Sequence, residues 1–363
     1  MSSWEYTERE LWRFSDKEIS IYHVFGLCAI GSTVLAFAEA RYAGGGDASA
    51  PHDIVMKKSE DGGLSFGESI TLLSSQGKRC FCNPTPLVDR QTGRVFLAFA
   101  ENFGNARTAL FLMHSDDCGN TWSAPRDITA ALQKTALPFA LPGPGHGIQI
   151  QKGAQTGRLL LQIWHRGGSI EPPRDARGYC ISLLYSDDHG AHWTQTSPIG
   201  AALCCNESRL IEAQDALVWL IRCFDGTGAI TYGNRDSLSF PEPVAAPLPV
   251  ANLCDAGGIS LSAGGKYADT VLVSRISGTQ KGERRDMRIH ISTDGGKHFD
   301  TCFALPGGDA MPGYSDLCVI EGEVPTVGLL HCRCNHVLFS RISLQALTGG
   351  DFEQTERHVW KSV

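Results

Sequence analysis

No apolar run in this 363-residue chain reaches the roughly 18 residues that a bilayer-spanning helix needs, so no membrane span is expected. The opening ten residues, Met1 to Glu10, lack the basic segment and apolar core of a secretory leader, which points to a cytoplasmic protein. Basic charge is also short: 32 Lys and Arg stand against 39 Asp and Glu, a net of −7, so a nucleic-acid partner is not expected. Any acidic ligand must then be held by locally placed cations. No stretch rich in Pro, Ser or charge marks a domain boundary, and residues 1–363 read as one domain. Cysteine is not scarce, but its 13 copies are odd in number and come without an export signal, so they read as mostly reduced core residues. The pairs Cys80/Cys82, Cys204/Cys205 and Cys332/Cys334 lack C-x-x-C spacing, and neither a metal nor an organic cofactor is expected.

What the chain does have is a repeated box, S-x-D-x-G-x-x-[W/F]. It stands at Ser59 to Phe66, Ser115 to Trp122, Ser186 to Trp193 and Ser292 to Phe299. Each copy follows a short apolar run such as Ala109-Leu-Phe-Leu112 or Ile289-His-Ile291, so it reads as a hairpin turn. Asp bonds nearby backbone N–H groups and Gly takes positive φ at little cost, while the closing aromatic packs between neighbouring sheets. The boxes are therefore structural. The last interval is nearly double the first, and a decayed copy from Gly233 to Phe240 divides it. At about 40 to 50 residues per blade, the length predicts an all-β, six-bladed propeller.

Residues 1–20 read as a surface-exposed start. Two strand-like runs, Ile19 to Gly26 and Val34 to Arg41, flank a turn at Gly31-Ser32. The Gly-rich segment from Tyr42 to Asp53 follows, a lid-like loop with the carboxylate Asp47 near its middle. From here the chain resembles the sialidase superfamily, exo-acting hydrolases on six-bladed propellers with such boxes. Leu35-Ala-Phe-Ala-Glu-Ala-Arg41 with the loop Asp is similar to the family's first blade. Asn83-Pro-Thr-Pro86 with Thr92-Gly-Arg94 is similar to its second, and Gly143-Pro-Gly-His-Gly147 with Gly157-Arg158 to its third. The resemblance runs from about residue 20 to about 350.

The resemblance implies a nucleophile, Tyr314, in Tyr314-Ser-Asp316, and a base to activate it, Glu207, in Asn206-Glu207. It implies an acid/base, Asp47, and two carboxylate-gripping arginines, Arg222 and Arg284. One position departs from the pattern. The family's Tyr-Arg-Ile-Pro string, whose Arg completes a three-arginine clamp, is Tyr22-His-Val-Phe25 here, making the clamp His23, Arg222 and Arg284. Histidine offers no bidentate fork and is cationic only if its pKa is held up. Arg41 is a substitute cation for it. Arg285 competes with Arg284 and Asp53 with Asp47, while His146 and Trp164-His165-Arg166 are further candidates to line the pocket.

These residues suit a substrate whose anomeric carbon bears a carboxylate. That charge repels an anionic nucleophile, whereas a phenol is neutral until it attacks; tyrosine nucleophiles are the known exception to the two-carboxylate scheme. A phenol with a free pKa near 10 needs a base within hydrogen-bond reach. The implied activity is a retaining exo-glycosidase that releases a terminal sialic acid or related 2-keto-3-deoxy sugar acid through a tyrosyl-enzyme intermediate. Its partner would be an acidic-sugar glycoconjugate or oligosaccharide. Two other readings stand beside it: a uronate lyase in which Tyr314 or His23 removes a proton, and a carbohydrate-binding propeller without catalysis.

Overall fold

The computed structural model describes residues 6–14, 19–42, 46–47, 50–134, 139–166, 178–246, 255–261, 269–277, 284–307, 312–321 and 326–349. Six antiparallel sheets stand around one axis, as the box spacing predicts. Among the described residues no helix is long and apolar enough to cross a membrane.

The first blade runs Ile19–Ile30, Thr33–Tyr42, His52–Ser59 and Ile70–Leu73. The second opens with Phe81–Asp89, the third with Ala140–Pro142 and Ile148–Gln149, and the fourth with Cys205–Glu212. The fifth opens with Gly257–Leu261 and the sixth with Pro312–Ile320. In each blade the strand that comes first in sequence lies nearest the axis, apart from the N-terminal strand described below. Every residue of Phe81–Asp89 and of Pro312–Ile320 is buried, because neighbouring blades cover both faces of an inner strand. This is why the inner strands show no apolar alternation.

The expectation of an exposed start at residues 1–20 is corrected for residues 6–13. Tyr6–Arg13 pairs antiparallel with His336–Ser343 and becomes the outer strand of the sixth blade, closing the ring. Leu11 and Trp12 are buried there, and Trp12 stacks on Tyr22 with ring centroids 5.7 Å apart.

The four boxes sit between the third and fourth strands of blades one, two, three and five, and they share one geometry. In the second blade Ser115 Oγ donates to Asp117 Oδ1 at 2.7 Å and accepts from Gly119 N at 2.8 Å, while Asp117 Oδ1 accepts from Thr121 N at 2.8 Å. The box glycine presses on the preceding blade. A Cβ on Gly119 would lie 2.9 Å from Leu35, one on Gly190 2.6 Å from Phe96, and one on Gly63 2.3 Å from Phe339. The closing aromatics follow it across: Trp122 meets Phe37 at 5.9 Å, and Phe66 meets Phe339 of the last blade at 5.0 Å. In the decayed fourth copy Asn234 Oδ1 caps Asp236 N and Ser237 N instead, and Phe240 packs on Trp219.

Gly63 and Gly93 both have left-handed φ, 83° and 77°, but a Cβ on Gly93 would meet nothing within 4 Å. Both alanine substitutions carry the backbone cost of about 1–2 kcal/mol. Gly63→Ala should lose about 1–3 kcal/mol more from overpacking against Phe339. Urea unfolding of the two variants checks this, and equal losses would mean that the box glycine does not couple the blades.

Candidate active site

The inner strands do not run to the end of their blades in perfect register. Each of four carries a bulge at the same end. In the fourth blade Asn206 and Glu207 together face the single residue Arg222, and in the sixth Gly313 and Tyr314 face Cys332. In the second, Asn83 and Pro84 face Phe99, and in the first Val24 is the extra residue after His23. Val24 takes φ 50°, a strained conformation for a β-branched side chain. Bulges of this kind re-aim side chains, and here they turn His23, Glu207 and Tyr314 toward one another.

Tyr314 Oη donates to Glu207 Oε1 at 2.5 Å and accepts from Arg222 Nη1 at 2.9 Å. Arg222 Nη1 also bonds Glu207 Oε2, so phenol, carboxylate and guanidinium form a closed triangle. Tyr314 and Glu207 are 6% and 7% exposed, which shields the triangle from bulk water. A carboxylate can take the phenol proton here, and a cation is in place to stabilise the phenolate that results.

The His23 ring lies edge-on to Tyr314, with centroids 4.4 Å apart and an interplanar angle of 73°. Burial pushes the His23 pKa well below its ordinary value, and the charges of Arg41, Arg284 and Arg222 push the same way. The condition for a cationic histidine at this position, a pKa held up, is not met: the surroundings of His23 favour the neutral ring. Arg284 is half-buried and Arg285 exposed, and a Cβ on Gly313 would lie 3.5 Å from Arg284 Nη1. Arg41 is 4% exposed; its Nε and Nη2 each meet Glu39 Oε2 at 2.7 Å, and its Nη1 meets Asp47 Oδ1 at 2.6 Å. Asp47 itself projects outward, its side chain 86% exposed. Asp53, its competitor, is a buried acceptor for Tyr42 Oη at 2.8 Å and Ser75 N at 2.6 Å, and so is occupied inside the first blade.

A model of the BNR repeat-like domain matches residues 32–332. A sialidase of Bacteroides fragilis (strain YCH46) is 27% identical over 365 residues, covering 91% of this chain and 63% of that protein. The chain belongs to the sialidase superfamily. A sialidase of Micromonospora viridifaciens is 30% identical over 194 residues, 48% of this chain and 28% of that one, so the chain spans less than two thirds of these curated relatives. Among solved structures, the Hadza microbial sialidase Hz136 has a TM-score of 0.76 at 25% identity, covering 92% of this chain and 67% of that one. The intramolecular trans-sialidase of Ruminococcus gnavus has a TM-score of 0.74 at 18% identity, covering 91% and 96%, and shares the fold.

Not every candidate joins the Tyr314 cluster of this sialidase-like propeller. His146 is a buried partner of Asp316, Nδ1 to Oδ1 at 2.9 Å, and belongs to the core around the axis. His165 is enclosed in the third blade, where Nε2 meets Ser182 Oγ at 2.8 Å and burial lowers its pKa to about 4. Trp164 packs on Tyr179 at 5.3 Å, and the Arg166 guanidinium lies 4.9 Å from the Phe139 ring centroid. Sequence reasoning missed Glu39, which is fully buried and anchors Arg41 while accepting from Asn83 N at 2.6 Å. The alternation Glu39-Ala-Arg41 inside an apolar strand was its only signal.

A neutral His23 gives stability a pH dependence of defined sign. Between its lowered folded pKa and the unfolded value near 6.5, the unfolded chain binds more protons. Stability is therefore complete above about pH 6.5 and falls as pH drops. His165, His290 and His331, each lowered to about 4 by burial, act in the same direction. His23→Gln should remove up to about 1.4 kcal/mol per pH unit of that loss below pH 6.5. Urea unfolding at pH 7.5 and pH 5 checks this; an unchanged pH slope would show that folded His23 accepts a proton.

Proposed function

We propose that the protein is a retaining exo-glycosidase that releases a terminal sialic acid or a related 2-keto-3-deoxy sugar acid from a glycoconjugate or oligosaccharide. The observation that carries this reading is the closed Tyr314–Glu207–Arg222 triangle. A tyrosine bonded at once to a carboxylate and a guanidinium is poised to lose its proton, and the inner-strand bulges are what bring the three together.

In this reading Glu207 takes the phenol proton as Tyr314 Oη attacks the anomeric carbon. Asp47 protonates the departing glycosidic oxygen, then deprotonates the water that releases the sugar. Two displacements at one carbon retain its configuration. Arg222 and Arg284 balance the sugar's carboxylate, and Arg41 pairs with Asp47. Neutral His23 contributes shape and one hydrogen-bonding nitrogen where a third formal charge would otherwise stand. The acid group is thus gripped by fewer charges than a three-arginine clamp supplies, which favours a sugar acid whose other contacts compensate. The names of the relatives, sialidases across both sequence and structure comparisons, support the same class.

The test is turnover on glycosides of N-acetylneuraminate, its deaminated analogue and an eight-carbon keto-deoxy acid, with a uronate disaccharide as a fourth substrate, all read by mass spectrometry. One free keto-acid sugar should be released. Glu207→Gln should lower kcat by about 10²–10⁴-fold, and Tyr314→Phe by at least as much while still binding the sugar. His23→Arg should tighten carboxylate binding and shift the preference among the three acids. A dehydrated product absorbing in the ultraviolet would establish a lyase, and binding without turnover a carbohydrate-binding propeller. Wild-type rates in Tyr314→Phe would end the tyrosyl mechanism.

A further inference from the structure

We propose that His52, Cys80 and Cys82 form a binding site for a thiophilic metal ion of the zinc class, tying the first blade to the second behind the candidate active site. These are the only three residues, among those described, that bring metal-type donor atoms together with every donor within 4.8 Å of the others. All three are buried.

The spacing of the donors is that of a coordination shell. Zinc bonds of about 2.3 Å to sulfur and 2.0–2.1 Å to nitrogen at tetrahedral angles put two sulfurs about 3.8 Å apart and sulfur and nitrogen about 3.6 Å apart. The two sulfurs lie 3.5 Å apart, and His52 Nδ1 is 3.3 Å from Cys80 Sγ and 3.8 Å from Cys82 Sγ. Shifts of a few tenths of an ångström would complete the shell.

The imidazole is also turned the right way. His52 Nε2 meets the carbonyl oxygen of Gly46 at 3.0 Å. A carbonyl only accepts, so Nε2 carries a hydrogen, and in the neutral ring the Nδ1 lone pair faces the two sulfurs. A metal-bound histidine commonly donates its second ring N–H to a backbone carbonyl in this way. The backbone fixes the rest: Cys80 and Cys82, two residues apart, share a side where the second blade's inner strand begins, and a parallel bridge joins His52 to Cys80. Glu39 Oε2 is 3.5 Å from His52 Nδ1, but Arg41 and Glu39 are paired, so the protein supplies three donors. The Asp47 carbonyl oxygen, 3.8 Å from Cys80 Sγ, or a water is available for the fourth.

The sequence hid this site because its third donor lies 28 residues before the first cysteine, on another blade. Binding would release the thiol protons, so affinity should fall as pH falls. It would also fix the ring that holds Gly46, next to Asp47; that consequence rests on Asp47 being the acid/base, whereas metal binding does not.

The test uses the full chain, reduced under anaerobic conditions and dialysed against Zn²⁺ or Co²⁺. About one metal per chain is expected, with a near-ultraviolet thiolate-to-cobalt charge-transfer band. Cys82→Ser should weaken affinity at least about tenfold. Cys302→Ser and Cys334→Ser, at exposed positions, should leave stoichiometry and spectrum unchanged. Should Cys82→Ser fail to fold, the cobalt spectrum of the Cys302→Ser/Cys334→Ser protein decides the matter with the site intact. Substoichiometric metal in the reduced protein, a cobalt spectrum without the thiolate band, or unaltered affinity in folded Cys82→Ser would overturn the proposal. Because the readout is metal and not turnover, a protein that cleaves none of the sugars would leave the result standing.

Discussion

A propeller must satisfy polar groups where its blades converge, and here one carboxylate carries much of that demand. Asp316, fully buried on the sixth blade, accepts from Leu27 N of the first at 2.9 Å and from His146 of the third, and lies 3.6 Å from Arg209 of the fourth. Arg209 in turn donates to Asp255, just before the inner strand of the fifth, at 2.9 Å. A buried charge without such partners costs several kcal/mol, so the network specifies how the inner strands sit around the axis. Tyr314 lies two residues before Asp316 on the same strand. The position of the Tyr314 phenol is inherited from the packing of the axis.

Chemistry enters where that regular packing is interrupted. The bulges at 206–207 and 313–314 each set two residues against one, and Arg222 is the residue opposite the first. Glu207 and Arg222 are thus neighbours by strand pairing, and Tyr314 reaches both across the axis. The strained Val24 does the same for His23 in the first blade. Rigid blades with local irregularities at one end place polar side chains to within hydrogen-bond distance, which a loop of similar length would not do.

The boxes were legible because their signal is local: each Ser, Asp and Gly bonds within a few residues, so the sequence pattern and the structure coincide. The strings around Glu207, Arg222 and Tyr314 were legible through their resemblance to the sialidase family, although the bonds that join the three residues span 15, 92 and 107 positions. What escaped depends on residues far apart in the chain. Pairing of Tyr6–Arg13 with His336–Ser343 joins the two ends of the described chain, and nothing near residue 6 announces it. The charge of His23 is set by burial and by arginines at 41, 222 and 284, from three blades. His146 carries a motif that suggests a pocket, yet its partner is 170 residues away in the axis.

The proposed mechanism requires that Tyr314 become covalently bound to the sugar. The direct measurement is intact-mass and peptide mapping after incubation with a 2,3-difluorinated sugar acid of the class cleaved. Fluorine at C3 slows both displacements, and fluoride at C2 is a good enough leaving group to let the first proceed. One adduct per chain is expected, located on Tyr314 and decaying as activity returns. An adduct on Glu207 or Asp47, or steady turnover of the natural substrate with no adduct ever trapped, would contradict it.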